Sequence, residues 1–412
     1  MSISKTIRNV SLAAVALFAS TLAIAQSPGT PITQDQKDNV LRDMEDVITR
    51  RAYVPGVDFS KWPALVKKHQ AKIDEAKDQA NFTGVMNEAL REFGFSHIVL
   101  FSPQAADARQ NRKMAGLGIR IQPEDKGLRI VLVFPGTPAE EVGMRPGDLI
   151  VAGDGKPVKS TADLAGEVGS KVKVTVEREG VKKDFNITRR MFQTDLPETL
   201  NWVNSETAIL TIPTFDLGFT RPRVADLMVD ALKAKNLILD LRGNGGGRVD
   251  NLLYLAGYFF DETKPIGTFV NRKMADDFSK ETGQPATDAI SVAKWTSDRL
   301  KTFGPRAERF AGKVAVLVNE GTGSASEMMA AALRENMDAK LIGSKTAGAV
   351  LASQMRPISE KFMLQFPLMD YVTIKGYRIE GNGLKVDEEA PLPKFGEKDK
   401  AISIAQKYFG NS

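Results

Sequence analysis

Val40, Leu41, Met44, Val47 and Ile48 fall at spacings of three and four residues, the period of an amphipathic helix. The helical pattern starts at Thr33, is broken by Pro55-Gly56, and resumes over Trp62–Ala76 and Phe82–Arg91. It ends in Phe93-Gly-Phe-Ser-His-Ile-Val-Leu-Phe101, where helix is predicted to give way to strand. Between residues 115 and about 190 the period shortens. Leu128-Arg-Ile-Val-Leu-Val133 is an apolar strand, and Val172-Lys-Val-Thr-Val-Glu177 alternates as a half-buried strand should. From about Asp195 to Glu388 strand and helix patterns alternate. Thr207–Ile212, Asn236–Leu241 and Val314–Val318 read as strands, and Arg223–Lys233 and Asn251–Phe260 as helices. The prediction is an α/β core around a central mixed sheet, preceded by a helical region and a small, mainly β unit. Residues 261–308 are too polar and mixed for an element to be assigned.

Candidate chemistry begins after the Val314–Val318 strand. Asn319-Glu-Gly-Thr-Gly-Ser324 makes a tight turn, and Ser324 opens the alanine-rich helix candidate Met328–Leu333. A serine on a strand-to-helix turn is held rigidly, close to backbone N–H groups and a helix dipole that favour developing negative charge. Those are the needs of a nucleophile. Ser324 and Glu327 also have capping-box spacing, and for the segment alone a plain helix cap is the more ordinary reading.

Composition narrows the class. At 412 residues the chain can hold two or three cores, and 42% hydrophobic with 26% charged residues is ordinary for a globular protein. The first 25 residues have the pattern of a signal peptide. Lys5 and Arg8 form a basic start, Val10–Ile24 an apolar stretch, and Ala23-Ile-Ala25 a cleavage site before Gln26. Losing Lys5 and Arg8 lowers the net charge from +5 to +3, an excess too mild and dispersed for a nucleic-acid partner. No later apolar run reaches membrane-spanning length, so stable membrane insertion after signal removal is not expected. The chain has no cysteine, hence neither a disulfide framework nor a lipid-attachment thiol. A soluble periplasmic or secreted protein is expected.

The run Pro135-Gly-Thr-Pro-Ala-Glu-Glu-Val-Gly-Met-Arg-Pro-Gly-Asp-Leu-Ile150 resembles a PDZ domain of the bacterial protease-associated kind. That resemblance implies that Gly116, Leu117, Gly118 and Ile119 form a loop whose amides hold a peptide's terminal carboxylate while the peptide adds as a strand. Asp240-Leu-Arg-Gly-Asn-Gly-Gly-Gly247 follows a buried strand, and its triple glycine lets backbone approach a ligand closely. No Gly-Lys-Ser/Thr follows, so a phosphate loop is disfavoured. With Ser324-Ala-Ser-Glu327 and the preceding PDZ unit, the run resembles the tricorn-core and carboxyl-terminal processing serine peptidases. The resemblance covers nearly the whole chain after the signal. It implies a crotonase-like core, Ser324 as nucleophile, and an oxyanion hole from Ala325 N–H with Gly246 or Gly247 N–H.

The chain departs from the carboxyl-terminal processing branch at the base. That branch has a lysine in a Thr-x-Gly-Lys run; here the run is Thr346-Ala-Gly-Ala349. There are two histidines. His69 lies in a charged helical stretch and reads as solvated surface, whereas His97 borders an apolar strand. An imidazole with an unperturbed pKa near ~6.5 can take and return a serine proton at neutral pH. Ser96-His97 resembles the tricorn-type branch, whose histidine base is supported by a serine and a glutamate, which would be Glu380 here. The implied tetrad is Ser324, His97, Ser96 and Glu380. Lys345 is the alternative base, and burial would have to depress its pKa. Asp240 and Arg242 are expected to brace the glycine loop.

The division that follows is residues 1–25 as signal peptide, 26–110 as a helical region contributing Ser96 and His97, 111–192 as PDZ domain and 193–412 as catalytic core. The expected activity is cleavage of unfolded or tail-exposed polypeptides through an acyl-enzyme, without metal or cofactor and with a homo-oligomer left open. The rival is an inert PDZ-containing adaptor, favoured by Ala349. An esterase on the same scaffold is weaker, because small esters need no peptide tether.

Overall fold

The computed structural model describes residues 29–302, 308–393 and 397–410, so the signal-peptide reading of residues 1–25 lies outside the described residues. The first helix, Gln34–Arg50, starts at Thr33, whose hydroxyl accepts from Gln36 N–H while the Gln36 side chain accepts from Thr33 N–H. Its buried stripe includes Val40, Met44, Val47 and Ile48, as the period requires. The expected helix over 62–76 is two short helices, Trp62–Lys68 and Gln70–Glu75, which meet at His69. His69 is more enclosed than its sequence context suggested: its Nε2 stands 2.6 Å from the Glu92 carboxylate, and its side chain is 12% exposed. The apolar core of these helices also takes in Leu100, Phe362, Leu364 and Phe366. The helical region is thus welded to strand Met363–Thr373 of the catalytic part.

Within the 93–101 run helix gives way to strand as expected, the strand being Val99–Phe101. Phe93 and Phe95 pack against each other and against Phe59, and Gly94 and His97 both take positive φ. The chain between the last N-terminal helix, Gln79–Arg91, and this strand is therefore a tight, aromatic-anchored turn that carries Ser96 and His97.

The PDZ sheet runs in the order Ile119–Glu124, Gly127–Val133, Leu149–Gly153, Lys171–Arg178, Val181–Thr188. Ile119–Glu124 pairs on one side only, which leaves an edge. Its core is Leu117, Ile119, Ile121, Ile130, Ile150, Val174 and Val176 with their neighbours.

The central sheet of the core runs Thr199–Trp202, Thr207–Thr211, Asn236–Asp240, Lys313–Val318, Lys340–Gly343, Glu388–Glu389. The first pair is antiparallel and the others are parallel. Parallel strands are covered on both faces, which explains their near-continuous apolar runs. Leu237, Leu239, Val314 and Val316 face helices Arg221–Ala231, Val249–Ala256 and Ala325–Met337; Ile238, Ala315, Leu317 and Ile342 face the C-terminal helix Lys400–Phe409. Residues 261–308, unassigned from sequence, contribute strand Pro265–Asn271 to a second, antiparallel sheet, then helices Arg272–Thr282 and Ala289–Trp295. Three consecutive parallel strands end at residues 240, 318 and 343, and the loops leaving those carboxyl ends converge. In parallel α/β sheets that edge is where sites are built.

Candidate active site

Two of these loops are stitched together by backbone and short polar side chains. Asn319 Oδ1 accepts from Gly243 N–H at 2.8 Å, Thr322 Oγ1 donates to Leu241 O at 2.8 Å, and Gly323 N–H donates to Asn244 O at 3.0 Å. Within the glycine loop, Asn244 Nδ2 donates to Ile212 O at 2.8 Å, and its Oδ1 accepts from Gly246 N–H at 2.9 Å. The serine turn is thereby fixed against the glycine loop.

Ser324 sits at φ 53°, ψ −123°, far from the extended backbone of an ordinary N-cap. Non-glycine residues at positive φ are strained, and such strain persists where surrounding contacts over-determine it. Here Ser324 N–H donates to Ala349 O at 2.7 Å and, at 3.2 Å, to the Glu327 carboxylate. Ala325 N–H, the first of the helix, has no partner among the described residues, and neither has Gly247 N–H. Gly246 N–H, by contrast, is held by Asn244. Of the two glycines suggested by sequence as oxyanion donors, Gly246 therefore has its N–H occupied, and Gly247 has its N–H free.

His97 is half-buried at φ 59°. Its Nδ1 lies 2.6 Å from Ser96 Oγ, which donates to Glu380 Oε2 at 2.9 Å; Ser96 N–H donates to Glu380 Oε1 at 2.7 Å. Val350 N–H adds a third donor to the Glu380 carboxylate at 2.8 Å. These contacts fix the tautomer. Ser96 has one proton and gives it to an acceptor-only carboxylate, so Nδ1 must carry the hydrogen of the His97–Ser96 bond. Nε2 is left with its lone pair, and it makes no hydrogen bond to another described residue. Burial pushes the His97 pKa down to about 4, helped by the nearby Arg109 charge, so the imidazole is neutral at pH 7. Burial pushes Glu380 above the usual carboxylate range, opposed by its three hydrogen bonds.

Three of the four tetrad candidates thus form one hydrogen-bonded chain. Ser324 and His97 are not directly bonded; Ser324 connects to the chain through Ala349 and the next residue, Val350. Catalytic hydrogen bonds are commonly long before substrate enters. Lys345 is exposed, outside the buried network, which removes the burial an active lysine base would need. Arg242 bridges Asp240, at 2.9 Å from its Nε, and Asp399, at 2.7 Å from Nη1, bracing the glycine loop against the C-terminal helix. The anchoring roles of Asn244 and Asn319 were missed in the sequence; the only signal was their position beside the two glycine turns. Among the described residues no cluster of side chains is arranged to hold a metal ion.

In the PDZ unit, Gly118 has φ 85°, and a Cβ there would lie 2.1 Å from Thr137 Cβ. Only glycine fits. The carbonyls of Leu117 and Gly118 accept from Ala139 and Phe134 N–H, both at 2.9 Å, while the N–H groups of Leu117 and Gly118 have no partner among the described residues.

Residues 206–390 match Peptidase family S41 and residues 115–188 match the PDZ domain. The core of the chain is thus similar to peptidase family S41 and the unit before it to a PDZ domain. A probable CtpA-like serine protease of Staphylococcus aureus (strain COL) is 30% identical over 288 residues, 68% of this chain and 53% of that protein. Another, from Staphylococcus haemolyticus (strain JCSC1435), is 29% identical over 302 residues, 70% of this chain and 56% of that protein. The chain spans about half the length of the curated relatives it matches. Among solved structures, the photosystem II D1 C-terminal processing protease aligns over 88% of this chain and 95% of its own, with 22% identity and TM-score 0.55. Mature CPAF complexed with lactacystin aligns over 92% and 97%, with 14% identity and TM-score 0.54. At those identities the likeness is one of fold, and the chain has the expected mixed α/β core, helical N-terminal region and PDZ domain.

Proposed function

We propose that this chain is an S41 peptidase, an exported, periplasmic or secreted serine endopeptidase of the Ser–His–Ser–Glu type. The observation that carries the reading is the buried Glu380–Ser96–His97 chain, which leaves a neutral Nε2 as the available base. Ser324 Oγ attacks the scissile carbonyl and His97 Nε2 takes its proton. Ser96 and Glu380 orient the ring and support the imidazolium, as the acid does in other triads. Ala325 and Gly247 N–H hold the oxyanion, each such donor being worth about 3 kcal/mol in the transition state. His97 then gives its proton to the leaving amine, and water resolves the acyl-enzyme.

The PDZ domain takes substrate C-termini: the free amides of Leu117 and Gly118 meet the terminal carboxylate, and the open edge of Ile119–Glu124 accepts the adjoining residues as a strand. Arg120, next in sequence, lies over Phe134 at 5.7 Å and reaches the glycine loop, its Nη1 4.0 Å from the Cβ position of Gly243. Arg120, beside both the PDZ strand edge and the glycine loop, is the route by which occupation of the PDZ site would gate the catalytic loops. The rival adaptor reading is favoured by Ala349 and by the missing Ser324–His97 bond.

The deciding test is cleavage of an unfolded protein by residues 26–412 beside Ser324→Ala. Cleavage by the former alone supports a peptidase, and no cleavage with or without a C-terminal activating peptide supports the adaptor. The pH profile provides a second prediction. A His97 pKa lowered to about 4 keeps the base unprotonated, so kcat/KM should stay flat from about pH 8 to about pH 5 and fall only below that. An acid limb near the ordinary histidine value would refute the buried neutral base. The same shift makes the native state lose stability as pH falls from about 6.5 towards 4, by up to ~3 kcal/mol, because only the unfolded chain takes the proton there.

A further inference from the structure

Where the lysine branch carries its base, the segment Thr346–Val350 forms a strap between two buried carboxylates. At one end Val350 N–H donates to Glu380. At the other, Glu327 accepts from the Thr346 hydroxyl, from Gly348 N–H at 2.8 Å and from Ala349 N–H at 2.9 Å. Ala349 O in turn receives Ser324 N–H at 2.7 Å, and Ser324 N–H also lies 3.2 Å from Glu327. The strap's outer side is held as well: Gly348 O accepts from Gly381 N–H at 2.8 Å, and Leu384 N–H donates to Thr346 Oγ1 at 2.7 Å.

Glu327 is fully buried, and no lysine or arginine among the described residues forms an ion pair with it. A buried carboxylate without a counter-charge is held only by its donors. A simple helix cap would contact the start of its own helix. Of the four donors to Glu327, only Ser324 N–H belongs there; the other three come from residues 19, 21 and 22 positions away. The carboxylate is therefore a joint between two loops.

We infer that Glu327 is a positioning residue: it locks the serine turn to the Thr346–Val350 strap, so that Ser324 and the Glu380–Ser96–His97 chain are held in one register. Through Ala349 and Val350, two successive residues of one strand of backbone, the nucleophile and the support of the base become a single unit. Burial pushes Glu327 above the usual carboxylate range, opposed by its four hydrogen bonds, which is consistent with a group retained for geometry.

The inference rests on the peptidase reading, so the test first counts reactive serines with a fluorophosphonate probe. No labelling of the wild-type chain would sink that reading and this inference with it. With labelling established, kcat, KM and Tm are measured for Glu327→Gln and Thr346→Val. Glu327→Gln keeps the shape but replaces one acceptor oxygen by a donor. It should lower kcat per labelled site about 100-fold, with KM within about threefold, because an ångström of misplacement costs that much. Thr346→Val removes one donor to Glu327 and leaves Leu384 N–H unpaired, so it should lower kcat per site about tenfold with a modest fall in Tm and the chain still folded. A purely structural role would lower Tm and the labelled fraction but leave kcat per labelled site intact. If Glu327→Gln does not fold, Thr346→Val decides alone; kcat per site within about threefold of wild type in a folded variant overturns the inference.

Discussion

Replacing His97 should lower kcat at least ~10⁴-fold while leaving the chain folded, whereas Lys345→Ala should leave kcat within about threefold. Proton inventory at Ser96 singles out the histidine. Ser96 Oγ can donate once and does so to Glu380, so Nδ1–H is committed and only Nε2 can accept from Ser324. Alanine at position 97 would also have to hold φ 59°, which mixes backbone strain with loss of the base. Asparagine tolerates that backbone best, so His97→Asn separates the two effects and should be as inactive as His97→Ala with a higher Tm. Lys345 is exposed, outside the buried hydrogen-bond network that holds Glu380 and Glu327. Steady-state rates on an unstructured protein substrate check both. A His97→Asn enzyme within tenfold of wild type, or a Lys345→Ala enzyme as dead as Ser324→Ala, would move the base elsewhere.

The parts of this site that are local in sequence were legible, and those made by distant partners were not. Ser324 on its turn and the triple glycine after a buried strand follow from short-range rules about strands, turns and helix starts. The apolar runs that pointed to a central sheet were equally plain, because burial on both faces leaves little room for polar residues. The pairing of Ser96 with Glu380 spans 284 positions, and only family resemblance suggested it. Glu327 looked like a helix cap because the spacing of a capping box is the same whether the carboxylate faces its own helix or a loop 19 to 22 residues on. The occupied N–H of Gly246 depends on the rotamer of Asn244, which no pattern encodes. Where in the 93–101 run the strand begins was not legible: Phe93 and Phe95 pack against Phe59 in a turn, and the strand starts only at Val99.

Gly246→Ala should abolish turnover nearly as completely as loss of the nucleophile, and Gly245→Ala, one residue earlier, should be close to silent. A Cβ on Gly246 would stand 2.6 Å from Ser324 Cβ, 2.7 Å from Gly323 O and 2.8 Å from Ala325 N. All three are fixed atoms of the nucleophile turn, so none can swing aside as the end of a flexible side chain would. Gly246 also lies at φ 93°, outside the range an alanine adopts without strain. The methyl group would therefore push the serine turn off the glycine loop and spoil the approach of an oxyanion to Ala325 N–H, a loss of at least ~10³-fold in kcat. A Cβ on Gly245 meets nothing within 4 Å, and its φ is not positive, so the same substitution leaves both loops in place. The two variants share composition and neighbourhood, and differ in which side of the loop the methyl faces. Fluorophosphonate labelling and kcat/KM measured side by side, with Tm as the folding control, read the difference. Equal loss in both variants would mean that the glycine run is needed for its flexibility, and full activity in Gly246→Ala would mean that the serine turn is not pinned where its contacts hold it.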